Sequence, residues 1–365
     1  MATKLVTIIG TRPEIIKMSP LLPLFDKDYE HILVHSGQHY SKNMDDLFFD
    51  ELELKRPDFH LNIGSATPGK QLSKIIHDFE KIVIDLSPNA ILVHGDTNTT
   101  LGGALVAAKY KDKNVKLIHV EAGARSHNFQ QAEEINRKIV DQISDLLFVS
   151  DETDKNNAIK EGVCKSRIFV TGNTVVDSCI RIKNLINHNT FLSKFNLKKE
   201  NYALLTFHRQ ETVDNYETLN NLCQTINTIA QNFPIVFPIH PRTQKMINEY
   251  EINLNTKNLQ IINPVGYKDL IGLLNNCRFC ITDSGGIQME AALLNIPTLI
   301  IRKHTEYMTF VDSGLHKITD NSERLLHESN VLINSLSDYN KRKKIKIDIT
   351  KNPSQKIINI MKDFI

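Results

Sequence analysis

The sequence predicts an α/β protein of two doubly wound domains, each a parallel sheet covered by helices on both faces. Three observations carry this reading. Apolar runs of strand length alternate with stretches of helical periodicity along the whole chain. At 365 residues the chain exceeds what one hydrophobic core usually fills, so two domains are expected. The strand-like runs end in glycine and polar residues, where open parallel sheets hold their ligands.

The first element is legible in "LVTIIGTRPEIIKMSPLL", residues 5–22. Leu5–Ile9 reads as a buried strand, Gly10 permits a tight turn, and Pro13 suits a first helical turn whose amides lack partners. An arginine there, Arg12, reads as one side of an anion site; the plainer alternative is an ordinary turn with a surface arginine. Further strands are expected at His31–His35, Ala90–His94, Lys116–Val120, Leu146–Val149 and Ile168–Val170, with helices at Gln71–Asp85 and Leu101–Lys109. The second half repeats the pattern with strands Tyr202–Phe207, Pro234–Ile239, Leu259–Ile262, Phe279–Thr282 and Thr298–Ile301. Its helices include Thr218–Asn232, Lys268–Asn276 and Gly286–Leu294. The join is expected at Gly172, which gives an N-terminal domain over 1–171 and a C-terminal one over 172–353. The amphipathic segment Ser354–Ile365 is a candidate to cross back to the first domain.

Composition narrows the function. Lys and Arg number 44 against 42 Asp and Glu, a net charge of +2, and apolar residues make up 41%. No basic footprint for nucleic acid or a membrane surface is present, so any anion site is local. The five cysteines are scattered, and Cys277 and Cys280 read as core thiols, not a metal or redox pair. With no basic-then-apolar leader before Leu5 and no run of membrane-spanning length, a cytoplasmic protein is expected.

Chemistry gathers at the strand ends. Asp96 and Glu121 follow strands in the first half, and Glu133-Glu134 lies beyond. In the second half His208-Arg209, His240-Pro241-Arg242 and Asp283-Ser284-Gly285-Gly286 follow strands. In "ITDSGGIQMEAA" the two glycines leave bare amides at a helix N-terminus, a cradle for phosphate without the lysine or spacing of a nucleotide triphosphate loop. A sugar nucleotide diphosphate fits better than ATP or NAD. Glu290, in that helix, suits a ribose diol or, more plainly, a helix cap. Carboxylates facing a diphosphate suit proton abstraction from a sugar carbon. Taken alone, Glu133 and Arg137 read as a surface i,i+4 salt bridge.

"GTRPEIIKMSPL", "VHGDTNTTL", "HVEAGARS", "EEINR", "TGNTVVD", "HPRT", "NPVGY" and "TDSGGIQMEA" together resemble the non-hydrolysing UDP-N-acetylglucosamine 2-epimerases, in order and over nearly the whole chain. The resemblance implies two Rossmann-like domains in a GT-B arrangement with the active site in the interdomain cleft, no cofactor, no metal in the chemistry, and a homodimer. It implies loss of the C2 proton with anti elimination of UDP, a bound 2-acetamidoglucal, and re-addition of UDP with protonation from the other face. By motif, Asp96, Glu121 and Glu133 correspond to the catalytic acids, with His208 beside the diphosphate. Arg12 and Lys17 correspond to nucleotide-side cations, Ser284, Gly285 and Gly286 to the phosphate cradle, Glu290 to the ribose ligand and Leu270 to the uracil pocket, and Arg302 is counted with the substrate-binding residues. Gln38, His39, Gln71, Arg209 and His240 resemble a second, activating UDP-sugar site.

The chain departs from the family pattern at Tyr307, where an arginine that contacts the nucleotide phosphates is usual, and at Ala132, where a proline usually precedes the Glu pair. Phe207 before His208 is a third departure, since some members carry glycine there. An aromatic residue in the place of Tyr307 also occurs in relatives acting on UDP-2,3-diacetamido-2,3-dideoxy-glucuronate. That substrate, or hydrolysis to N-acetylmannosamine and UDP, is the alternative on the same scaffold. A GT-B glycosyltransferase or a non-catalytic nucleotide-sugar binder is the alternative of another class, and the full acid set argues against it.

Overall fold

The computed structural model describes residues 3–38, 48–186, 188–254, 256–305, 307–343 and 352–365. The chain divides into two compact units, Met1–Arg181 with Thr350–Ile365, and Ile182–Ile349. The division falls ten residues beyond the expected join at 171/172, inside the helix Val175–Leu185. The reason is local. Ser178 Oγ donates to the Ile16 carbonyl at 2.7 Å and Arg181 Nη1 to the Ser19 carbonyl at 2.8 Å, which ties the first part of that helix to unit 1.

Unit 1 holds strands β1 (Lys4–Ile9), β2 (Glu30–His35), β3 (Phe59–His60), β4 (Ala90–His94), β5 (Lys116–Ala122), β6 (Leu146–Val149) and β7 (Ile168–Val170). All are parallel, in the order β3-β2-β1-β4-β5-β6-β7. The order reverses at β1, so β1 and β4 flank the switch point where such sheets hold ligands. The core packs Ile8, Val93 and Leu117 of the sheet against Ile75, Phe79 and Val83 of the helix Pro68–Leu86. The final helix, Pro353–Phe364, belongs to this unit. Ile357, Ile358 and Met361 are buried, the Ser354 amide donates to Asp177 Oδ2 at 2.8 Å, and Lys362 pairs with Asp28 at 2.9 Å.

Unit 2 repeats the plan with β8 (Ala203–Thr206), β9 (Ile235–Pro238), β10 (Leu259–Ile262), β11 (Phe279–Thr282), β12 (Thr298–Ile300) and β13 (His316–Ile318). The order is β10-β9-β8-β11-β12-β13, again parallel throughout. Phe207, Phe237 and Phe279 fill its core, the first two stacked at 4.9 Å. Cys277 and Cys280 are buried free thiols, as the sequence predicts. No helix among the described residues is long and apolar enough to cross a membrane.

Candidate functional site

In unit 1 the ends of β4 and β5 lie side by side, with His94 opposite Val120. β5 then slips register between Val120 and Ala122, and at the slip Glu121 takes a φ of +65°. A side chain in that region is strained, so its surroundings must hold it there. They do. Lys17 Nζ, from the helix Arg12–Met18, donates to both Glu121 oxygens at 2.6 and 2.7 Å. His94 Nε2 stands 3.6 Å away on the other side. Burial pushes the Glu121 carboxyl up, but Lys17, His94 and Arg137 together outweigh it and bring it down to about 2.

Asp96 sits one turn beyond β4 and is bonded by Arg137 Nη2. Its carboxyl moves the opposite way. Burial raises it, and the charge of Glu121 adds to that against the pull of Arg137 and Lys17. His94 is buried, and neither ring nitrogen has a hydrogen-bond partner. Burial drives its imidazole down to about 4, so it is neutral at pH 7. Two neighbouring acids, one bonded by Lys17 and the other by Arg137, are thus pushed apart in acidity, as acid–base chemistry requires.

A buried network supports these strand ends. His119 Nδ1 meets Asp141 Oδ1 at 2.7 Å and its Nε2 meets the Gly95 carbonyl at 2.8 Å. Asp141 Oδ2 also accepts from the Gly123 amide at 3.0 Å and Arg125 Nη2 at 2.6 Å. Gly123 has φ +77°, and a Cβ there would lie 2.4 Å from the Asp154 carbonyl oxygen, so only glycine fits the turn after Glu121.

The Glu133–Arg137 salt bridge expected from spacing is not formed. Arg137 spends its guanidinium on Asp96 and on Glu134 Oε2, the latter at 3.2 Å. Glu133 is exposed in the first turn of the helix Ala132–Ile143, whereas Glu134 is buried and accepts from the Ser126 amide, the Ser126 hydroxyl and the His127 amide. Burial raises the Glu134 carboxyl, but these donors and Arg137 hold it below its ordinary value. Of the two, Glu134 fixes the loop and Glu133 faces solvent.

Arg12 is half-buried, its guanidinium 5.7 Å from the Phe48 ring centroid. The Gly10 amide and Thr11 hydroxyl beside it turn inward to the buried Glu14 at 2.9 Å each. The charge this turn can offer a ligand therefore lies with the Arg12 side chain. Gln38 and Gln71 are also buried and bonded within the unit. Gln38 Oε1 accepts from the Thr99 amide and hydroxyl, and Gln71 Nε2 donates to the carbonyls of Gln38 and Gly64. His39 lies outside the described residues.

Unit 2 gathers its polar groups around Asp283, which is fully buried after β11. Asp283 Oδ2 accepts the amides of His208 at 3.0 Å and Arg209 at 2.9 Å, and Arg209 Nε donates to the Asp283 carbonyl at 3.0 Å. His208 stacks on His240 at 4.9 Å, and the His240 ring also accepts the Arg242 amide as the cap of the helix Pro241–Glu249. Next comes Ser284, the N-cap of the helix Gly285–Leu293, whose side chain makes no capping bond. Gly286 is exposed, and a Cβ there would meet nothing nearer than Ser284 Oγ at 3.9 Å. That is an open approach to bare amides. Glu290 is buried on the same helix, so it is not a surface cap; Leu270 is half-buried on the helix Tyr267–Asn276. Arg302 Nε donates to Glu211 at 3.0 Å. Tyr307 stacks on Phe310 at 5.4 Å and packs against the cluster of Ala292, Phe310 and Leu315.

Sequence reasoning missed Glu14, His94, Asp141 and His119. Glu14 and His94 stand inside motifs that were read for their neighbours. The His119–Asp141 pair joins residues 22 apart on different elements, which no local pattern reveals. Among the described residues no cluster of three or more His, Cys, Asp or Glu side chains has the makings of a metal site.

The model of the family described as UDP-N-acetylglucosamine 2-epimerase matches residues 25–362. A UDP-N-acetylglucosamine 2-epimerase of Methanococcus maripaludis is 45% identical over 313 residues, 83% of this chain and 84% of that one. A UDP-2,3-diacetamido-2,3-dideoxy-D-glucuronate 2-epimerase of Pseudomonas aeruginosa is 34% identical, covering 89% and 91%. The crystal structure of the Methanocaldococcus jannaschii UDP-GlcNAc 2-epimerase with UDP-GlcNAc and UDP superposes with a TM-score of 0.83 at 39% identity, over 99% of this chain and 100% of that one. The family match spans most of both doubly wound units, and the chain belongs to the UDP-N-acetylglucosamine 2-epimerase family.

Proposed function

We propose that this protein interconverts UDP-N-acetylglucosamine and UDP-N-acetylmannosamine by reversible inversion at C2. The observation that carries the reading is the Lys17–Glu121–Asp96–Arg137 cluster at the ends of β4 and β5. There one carboxyl is held ionised and its neighbour is moved toward protonation. Elimination breaks the C2–H and C1–O bonds, forms a C1=C2 double bond and releases UDP as the leaving group. Re-addition restores the C1–O bond and delivers a proton to the other face of C2. Such a sequence needs an ionised acceptor and a separate proton donor, each contributing about 10²–10⁴-fold. The departing diphosphate needs cations and amides, and Arg12, His208 and the Ser284–Gly286 turn supply groups of that kind. Glu290 is assigned to the ribose and Leu270 to the uracil.

A second reading keeps this chemistry on UDP-2,3-diacetamido-2,3-dideoxy-glucuronate. It rests on Tyr307, which stacks on Phe310 and packs against the cluster of Ala292, Phe310 and Leu315 where the family pattern has a phosphate-binding arginine. The experiment is a direct competition of the two UDP-sugars, with products followed by phosphorus NMR. The first reading predicts a kcat/KM at least tenfold higher for UDP-N-acetylglucosamine, with intact nucleotide sugar as product. Preference for the uronate, or free sugar plus UDP, contradicts it.

A further inference from the structure

Glu14 has no part in the chemistry above, yet it is buried and bonded to two separate turns. From the turn after β1 come the Gly10 amide and the Thr11 hydroxyl, both to Oε2 at 2.9 Å. In the turn after β4 the Thr97 and Thr100 hydroxyl oxygens lie 3.0 and 3.3 Å from Oε1. Thr97 and Thr100 are the two members of the capping box that opens the helix Asn98–Lys109. The first turn carries Arg12 and the second carries Asp96. β1 and β4 are paired only along Leu5–Thr7 and Ala90–Leu92, so Glu14 links the chain beyond the point where the ladder stops.

The hydroxyl inventory sharpens this. Thr100 Oγ1 lies 2.6 Å from the His94 carbonyl, which claims its one hydrogen. Thr100 Oγ1 is then left as an acceptor 3.1 Å from Thr97 Oγ1, and with Thr97 donating to it a neutral Glu14 satisfies the cluster, Oε1 donating to Thr97 while Oε2 accepts from Gly10 and Thr11.

We propose that Glu14 is a positioning residue that clamps the Arg12 turn to the Asp96 turn, fixing a diphosphate-side cation relative to an acid of the reaction. This rests on the functional reading above for its consequence, but not for its geometry. The test uses Glu14→Gln, which keeps the shape and both bonding ends, and Glu14→Met, which keeps the length and loses them. Amide hydrogen exchange is followed by mass spectrometry in residues 95–100, and the rate of C2 epimerisation is measured per folded molecule. The expected result is wild-type protection and at least a third of the rate for E14Q. For E14M, exchange in 95–100 rises at least tenfold and kcat falls at least 30-fold, with KM for the UDP-sugar raised.

If E14M does not fold, Thr11→Val removes one hydroxyl on the near side, and faster exchange in 95–100 on the far side is again expected. Unchanged protection of 95–100 in folded E14M, or in Thr11→Val where E14M does not fold, overturns the clamp. So does a lowered melting temperature with kcat and KM per folded molecule unmoved. If the wild-type protein itself fails to turn over UDP-N-acetylglucosamine, the functional reading fails, and the exchange data still decide the clamp.

Discussion

Replacing Lys17 by methionine separates two roles for this cation. In the structure Lys17 Nζ bonds both oxygens of Glu121, with the lysine side chain 27% exposed and the glutamate 23%. Glu121 lies at about 2 instead of 4.5. That difference corresponds to about 3 kcal/mol in favour of the ionised form, trimmed to about 2 kcal/mol by solvent at a pair exposed to this degree. Because the folded value is depressed, this stability is present above pH 4.5 and is lost as pH falls toward 2. Without Lys17 the largest of the charges that lower it is gone, so burial carries the carboxyl upward. The variant is expected to be about 2 kcal/mol less stable at pH 7 by urea denaturation, with the gap narrowing below pH 4.5. The acidic limb of its kcat–pH profile should move up by about 2 pH units. If the limb stays in place and the whole loss falls on KM for the UDP-sugar, Lys17 serves the nucleotide and not Glu121, and the reasoning is refuted.

Other expectations follow from the same geometry. Burial raises Glu14 to about 7, so its protonated form is favoured in the folded state, and stability is lost as pH rises from 4.5 through 7. E14Q should therefore gain about 2–3 kcal/mol on the wild type between pH 5 and pH 8, and a difference independent of pH in paired urea titrations contradicts this. Gly286→Ala meets no atom within van der Waals contact except Ser284 Oγ at 3.9 Å, so its melting temperature should be unchanged or raised. Its affinity for UDP by calorimetry should fall at least tenfold, because the methyl group occupies the approach to the amides. Asp283→Asn removes a buried charge that holds two backbone amides. It should cost about 1–3 kcal/mol in thermal unfolding and weaken UDP, and an unaltered protein would show that the His208 turn holds itself.

The larger elements were readable because buried parallel strands are continuous apolar runs. Ala90–His94, Leu146–Val149, Ile168–Val170, Leu259–Ile262 and Phe279–Thr282 stand where the runs place them, and the other expected strands differ by at most two residues at either end. The strands not foreseen, Phe59–His60 and His316–Ile318, are short edge strands whose two or three residues carry no period. The strand-end acids and glycines were legible for the same reason, since each follows an apolar run. What the pattern missed is pairing. Arg137 lies four residues from Glu133 and three from Glu134, and the i,i+4 spacing reads in favour of Glu133. The helix N-terminus buries Glu134 beneath the 126–127 loop, and Arg137 is left to reach Asp96. Lys17 could be placed on a helix from sequence, but its partner 104 residues away is set by strand order.

The most direct test of the account is incubation with UDP-N-acetylglucosamine in D2O, followed by proton and phosphorus NMR. Proton removal and return at C2 predict UDP-N-acetylmannosamine and recovered UDP-N-acetylglucosamine that both carry deuterium at C2, with the diphosphate intact. Epimer formed without solvent deuterium at C2, or no exchange at all with this substrate, would contradict it.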